Sequence, residues 1–568
     1  MSDRSRSLLT VVSVICLCLS AFAQQLAPGG APSPDEAALR ALVVKYFEAY
    51  AKKDLDAVMA LWSKDAPGAA SRRETLRRMF ASQDRQFSVP AISHIKIDGG
   101  RASARAFIER SVTRRHGSST DVKSVRSDLS FVKENGEWRL WSEAPAVVGL
   151  ANALAAAKTD AERETLLAND KDLVNIELLR LLINQSDRAF TRSDYSRALS
   201  ILLGQRLVAE KLGEKEEISH ALMNSGIIHF MQNRYQQALD AYQKGLAIEE
   251  ELERKPRQAG FLTNIGLAQS ALGRPQQAIE CLQRGLAIYE ELNEKRDVAY
   301  ALENIGNVHY DQGDYALASE FYQRSLKWSE SATSYAGRLL KVARAEYDQG
   351  NDEAAIGFYS EAASKLEAAG KKEGIGYAMH GVANIYYSQG DYAQAMNYYR
   401  RALAAEKEAM APQGVAGALQ GIGLIHSLGG NHALALEAYR ENLSVAESLA
   451  DEANIAAAWQ KVGGAHFGLA QFDQALEAFQ KALALREQLG DPQETANAHV
   501  DVGVAYASKG DFTAALDSYQ KGKTLYASVA NMLGVAAVTL NESMISYARK
   551  DYAKTIEQAD EAAGMAKR

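Results

Sequence analysis

Cysteine is nearly missing from this chain: it has three in 568 residues, and Cys16 and Cys18 fall inside an apolar run at the start. Beyond that run only Cys281 remains. No intramolecular disulfide can form, and Cys281 reads as a small buried apolar group on a helix. Proline is scarce too, at 10 residues, in an alanine-rich composition, which favours uninterrupted helix. No G-x-x-x-x-G-K-[ST], H-E-x-x-H or C-x-x-C is present, so nucleotide-cradle, zincin and dithiol chemistry lack their residues. Positive charge is in deficit: the net charge is −7. Residues 35–145 carry 20 Lys+Arg against 15 Asp+Glu and residues 1–34 carry +1, which leaves −13 for residues 146–568. An acidic surface of that extent excludes nucleic acid as its ligand. No cofactor is implied.

What is present begins with a leader. Arg4 and Arg6 precede the apolar run Leu8–Leu19, and Ala21-Phe22-Ala23 is a small-x-small cleavage site. Residues 1–23 therefore read as a secretory signal peptide. The run is too short to span a bilayer, and no small residue precedes either cysteine as a lipoprotein leader requires. The expectation is an exported protein, periplasmic or secreted, with no stable membrane insertion after cleavage. Residues 24–34 read as a flexible linker.

The dominant pattern is a repeat. A small residue recurs at Ala198, Ala238, Ala278, Ala318, Ala355, Ala395, Ala435, Ala475 and Ala515, with Thr555 in a tenth copy; every step is 40 except the one of 37 between Ala318 and Ala355. Twelve residues before it stands another small residue (Gly226, Gly266, Gly306, Ala343, Ala383, Gly423, Gly463, Gly503). Four after it stands a large one (Tyr242, Leu282, Tyr322, Tyr359, Tyr399, Tyr439, Phe479, Tyr519). Antiparallel helices approach closely only where facing side chains are small, and a large residue one turn on fills the adjoining hole. The turns Gly313-Asp314, Gly390-Asp391 and Gly510-Asp511 give a helix stop, then a cap. A fixed period in this range marks a solenoid.

These residues resemble tetratricopeptide repeats (TPRs). The resemblance implies a mostly α, right-handed solenoid of about ten helix pairs over residues 173–568. The usual unit is ~34 residues, and here the extra residues all follow the constant Ala. Glu250, Glu290, Glu330, Glu367, Lys407, Glu447 and Glu487 stand where the family commonly has Pro, so the second helices should run on by about a turn. This is similar to the long-helix repeats of kinesin light chain. The short step, near Trp328–Leu339, has two readings: a re-phased pair with a local bend, or a shortened loop.

TPR resemblance also implies an inner face lined by first helices. Two positions look inward in the family. Two before the small residue stand Asn224, Asn264 and Asn304; one after it stand Asn307 and Asn384. An amide offers both donors and an acceptor, so the run is either a ladder for an extended peptide or a set of solvated polar positions. His229, His309, His426 and His466 share one repeat position, which Tyr386 and Tyr506 occupy elsewhere. They read as packing residues rather than ligands of one metal. Ser518–Lys521 fits S-x-x-K by chance of register.

Residues 35–145 differ. Leu39, Leu42, Val43, Tyr46, Phe47 and Tyr50 lie on one helical face, Asp54 caps a second helix, and Ser71–Glu74 reads as a capping box for a third. Strands follow at 92–97, 102–112, 122–133 and 137–142, with hairpin turns at Asp98-Gly99-Gly100 and Asn135-Gly136. FEAYAKKDLDAVMALWSKDAP and FVKENGEWRLWSEA resemble the SnoaL-like (nuclear-transport-factor-two-like) cone, a fold that serves enzymes, binding modules and dimerisation units alike. The candidate pocket comprises Tyr46, Trp62, His94, Asp128 and Trp141. Arg114-Arg115-His116-Gly117 is a basic hairpin tip.

Residues 146–172 read as a helical connector sealing the first repeat. The arrangement is similar to secreted bacterial proteins that join TPRs to a caspase-like CHAT protease, without that protease in this sequence. The combined reading is a non-enzymatic scaffold or adaptor holding a protein or extended peptide. The alternatives are a ligand-binding or catalytic cone with the array as docking arm, or a regulatory subunit of a separate CHAT-type protease.

Overall fold

The computed structural model describes residues 32–87, 91–114 and 120–566. The leader, most of the linker and the residues 115–117 of the basic hairpin tip lie outside them. The described linker end differs from expectation: Pro34 is already the first residue of the helix Pro34–Ala51, capped by Ser33. Proline suits that position, because the N–H it lacks would have had no helical partner.

Contacts divide the chain into two compact units, residues 1–251 and 252–568. The first contains an antiparallel sheet with helices on one face. Helices Pro34–Ala51, Leu55–Ala60 and Ala69–Ser82 precede β1 (Gln83–Phe87), β2 (Ala91–Asp98), β3 (Arg101–Arg114), β4 (Thr120–Glu134) and β5 (Glu137–Pro145). Both β1 and β2 pair with β3, then β4 and β5 follow in order. Asp54 caps its helix through Ala57 N–H. The Ser71 capping box does not form: the helix starts earlier, Ser71 Oγ donates to Gly68 O, and Glu74 holds Arg77 and Arg78. Asn135 and Gly136 both have positive φ, 49° and 86°, the geometry a two-residue hairpin needs. Strand β1, polar except for Phe87, carries no alternating sequence signal and pairs with the far end of β3.

Alternation fixes the faces of the sheet. Ala102, Ala104, Ala106, Ile108, Leu129 and Phe131 point to the helices and are buried with Leu39, Val43, Tyr46 and Trp62. Arg105 and Asp128 point the other way, onto the connector. Arg105 bridges Asp128 and Asp170, and Arg126 pairs with Asp172. Burial works against the charge of Arg105, but its two carboxylate partners outweigh it and keep the guanidinium pKa above its ordinary value. Connector helices Ala146–Ala156 and Asp160–Asn169 share one core with the helices Ile176–Thr191 and Tyr195–Leu212. Arg163 is 2% exposed there. Its guanidinium donates to Leu154 O, Ala157 O, Ser200 Oγ and Asp160, so the buried charge is paired and hydrogen-bonded.

From Ile176 onward the chain is helix pairs only. First helices are Ile176–Thr191, Lys215–Met231, Lys255–Ala271, Lys295–Asp311, Ala332–Gln349, Ile375–Ser388, Pro412–Leu428, Glu452–Gly468, Pro492–Ser508 and Met532–Ala548, each followed by a second helix. All nine recurrent alanines are 0% exposed. A Cβ on Gly226, Gly306, Gly423, Gly463 or Gly503 would sit 2.3–2.6 Å from the large side chain of the facing helix, so glycine there is a condition of close approach. Asp391 and Asp511 cap the next helix; Asp314 does not, and lies 3.7 Å from His309 instead. Second helices of 17 or 18 residues, such as Tyr235–Glu251 and Phe472–Leu489, supply the extra turn. The shortest is Tyr315–Leu326, 12 residues long. The 37-residue step thus removes helix rather than loop, and Glu330 falls outside the helix. Ser331 starts the next one by capping Ser334 N–H, and Arg338 ties the join to Ser329 and Glu303. Cys281, expected buried, is half-buried on the surface of Pro275–Leu292.

Candidate binding groove on the first helices

Successive first helices bring the same helical positions together. In the second unit this creates two adjoining cavities. One, of about 460 Å³, is lined by Asn307, Tyr310, Tyr322, Leu340, Lys341, Arg344 and Tyr377. The other, of about 450 Å³, is lined by Tyr347, Tyr359, His380, Gly381, Asn384 and Gln413 among others, and shares Arg344 and Tyr377 with the first. Together their walls come from Lys295–Asp311, Ala332–Gln349, Ile375–Ser388 and Pro412–Leu428, all first helices, with Tyr322 and Tyr359 reaching in from second helices.

The groove is organised by hydroxyl–amide pairs. The Tyr322 ring lies against Gly306, and its hydroxyl donates to Asn307 Oδ1 at 2.9 Å. Tyr399 donates to Asn384 Oδ1 at 2.6 Å. Where Asn gives way to Gly381, the Tyr359 ring takes the space. Burial, with the carboxylate of Asp348 close by, pushes the Tyr310 phenol up to about 12; burial pushes Tyr399 to about 12 as well. Both remain donors across the physiological range. His380 is pushed down by burial. The acidic groups bordering the groove are already engaged: Glu303 holds Arg338 and Lys341, and Asp348 holds Arg344 and Tyr310.

The five candidate asparagines therefore part company. Asn307 and Asn384 line the groove, but their acceptor oxygens hold tyrosines. Asn304 is 5% exposed, lines neither cavity, and leaves Nδ2 without a hydrogen-bond partner. Asn264 is half-buried in the second unit; Asn224, in the first, is half-buried and 3.2 Å from His220. Among the histidines, His309 stacks on Phe321 at 5.5 Å, as Tyr386 does on Tyr398 at 5.6 Å, which is packing of the repeat position. Ser518 returns its hydroxyl to Ala514 O and Lys521 pairs with Asp517.

The sheet pocket residues do not converge. Tyr46 and Trp62 are core, 0% and 4% exposed, with ring centroids 6.4 Å apart. Tyr46 donates to Glu143, which Arg72 also holds, and Arg72 lies 4.1 Å above the Trp62 ring. Asp128 is on the opposite face, paired with Arg105. His94 is exposed at a bulge of β2, with φ 52°. Trp141 borders a separate cavity of about 360 Å³ with Lys96, Asp98, Arg101 and Ser130. The reason is the two-residue period of strands, which sends neighbouring candidates to opposite faces. Sequence reasoning missed the Tyr46–Glu143–Arg72 set because its members are joined only through the fold.

Family models described as tetratricopeptide repeat match residues 183–256, 257–331, 335–408, 382–444, 414–488 and 454–528, together more than half of the chain. The chain belongs to the tetratricopeptide-repeat family. Similar solved structures include the apo form of RapI, with TM-score 0.43 and 16% identity over 62% of this chain and 98% of that one. Aspartyl phosphate phosphatase F from Bacillus subtilis gives 0.39 and 15%, over 62% and 94%. The apo quorum sensor NprR from B. thuringiensis gives 0.39 and 15%, over 60% and 97%. No curated protein matches. Among the described residues no TPR helix, and no other helix, is long and apolar enough to cross a membrane.

Proposed function

We propose that this TPR protein is an exported, non-enzymatic adaptor that holds a protein or extended peptide on its first helices. In this reading residues 1–23 direct export and residues 35–145 form a SnoaL-like structural unit. The observation that carries it is the pair of adjoining cavities from Asn307 to Gln413, open on the first-helix side and built from four consecutive repeats. A groove continuous over several repeats suits a chain segment better than a compact metabolite. The test is photo-crosslinking from position 377 of the full chain in the exported fraction. A discrete protein adduct, lost when Arg344 and Asn384 are replaced by alanine, supports the reading. Equal adducts from position 377 and from the exposed position 244, which lines neither cavity, refute it.

A second reading, a small-molecule site on the sheet, has the cavity beside Trp141 in its favour. Saturable quenching of tryptophan fluorescence by a ligand, abolished by Arg101→Ala, would support it.

A further inference from the structure

The groove is rich in aromatic faces, and its carboxylate and asparagine acceptors are already hydrogen-bonded. Tyr310, Tyr322, Tyr347, Tyr359 and Tyr377 line it, and Tyr377 is 46% exposed at the junction of the two cavities. Arg344, 51% exposed in its side chain, stands beside Tyr377 and projects at the same junction. The asparagine and carboxylate acceptors are committed: the Asn307 and Asn384 oxygens to Tyr322 and Tyr399, and the Glu303 and Asp348 carboxylates to cations and to Tyr310.

An ordinary extended peptide presents an N–H and a C=O at each residue, and its N–H groups would find only the Gln413 amide and phenol oxygens as side-chain acceptors here. Sugar hydroxyls meet the same shortage. A proline-rich segment does not: proline has no N–H, its polyproline II backbone exposes only carbonyl acceptors, and its flat rings stack on aromatic faces. The segment is also stiff before binding, so little conformational freedom is lost.

We propose that the groove takes a proline-rich segment in polyproline II conformation, with rings laid on Tyr347 and Tyr377 and carbonyls turned to Arg344 and the Tyr377 hydroxyl. This rests on the reading of the first-helix face as a peptide site and names its occupant. The test is fluorescence anisotropy of labelled decaproline on the full chain, beside a glycine–serine decapeptide and a chitin tetrasaccharide. Decaproline should bind saturably and at least about tenfold tighter than the glycine–serine peptide. Tyr377→Ala should weaken it about tenfold or more. Tyr377→Phe, which keeps the ring, should weaken it less. Tyr547→Ala, an exposed tyrosine outside the groove, should leave it unchanged. Equal binding of both peptides, preference for the tetrasaccharide, absence of decaproline binding, or indifference to Tyr377→Ala each overturns the proposal. If position 377 crosslinks a protein that decaproline does not displace, the adaptor reading stands and the proline-rich occupant falls.

Discussion

The sheet of the first unit and the groove of the second are both built around aromatic residues, yet one is closed and the other open. In the sheet, Tyr46, Phe47, Trp62, Phe131 and Trp138 are all buried in one core. In the groove, the consensus tyrosines bury their rings against glycine while other tyrosines stay partly open: Tyr377 is 46% exposed against 3% for Tyr322. The difference lies in topology. A sheet and the helices across one face enclose a volume that side chains must fill. A line of repeats buries each unit only against its neighbours and leaves one continuous face of the first helices without a lid.

The contrast can be broken most strongly at its closed end. Trp62→Ala should cost about 3–5 kcal/mol, as expected for an aromatic removed from a filled core. Urea denaturation of the full chain reads this, and a shift below about 1 kcal/mol would mean that the sheet core is not closed. On the repeat side, Gly463 and Gly464 are adjacent but opposite in surroundings. A Cβ at 463 meets Phe479 at 2.6 Å, whereas one at 464 meets nothing within 4 Å. Gly463→Ala should destabilise by about 1–3 kcal/mol, and Gly464→Ala should stabilise by up to about 1 kcal/mol through helix propensity. Like signs in thermal melts would defeat the close-approach argument.

A subtler separation uses Asp501, whose carboxyl burial pushes up to about 6 although Gln460 donates to it. A carboxyl that binds its proton more tightly in the folded chain contributes stability that is complete below its unfolded pKa, 3.8, and is lost as pH rises through about 6. Asp501→Asn should therefore be more stable than the parent at neutral pH, by on the order of 2 kcal/mol, with the two converging near pH 4. Parallel stability–pH curves would contradict this. The smallest effect is expected for Tyr46→Phe, about 1 kcal/mol for one lost hydrogen bond, because Glu143 keeps Arg72. A loss several times larger would show that the buried phenol organises the core rather than completing it.

How much was legible depended on whether the signal was local. Asp54, Asp391 and the Asn135-Gly136 turn announce themselves, because a cap or tight turn involves only a few neighbouring residues. Ser71 misled, since the helix began two residues earlier, and β1 was silent. Of the candidate site residues, Asn307 and Asn384 reached the groove and Asn304 did not. Positions 304 and 307 are about 60° apart around a helix, enough for one to be covered by packing while the other faces the cavity. The sheet candidates failed as a set because side-chain direction reverses at each strand residue, and the bulge in β2 displaces His94.

The sequence by itself determined the repeat: its period, its paired small and large residues, its long second helices and the place where the period falters. These follow from helix geometry repeated along one dimension, where every unit meets the same neighbours. Only the tertiary structure decided that the short step trims a helix and that the asparagine oxygens are spent on tyrosine hydroxyls. It also decided that Arg344 and Tyr377 meet where two cavities join. Those outcomes turn on which side chain wins a shared space among residues tens of positions apart, and no local pattern encodes that competition.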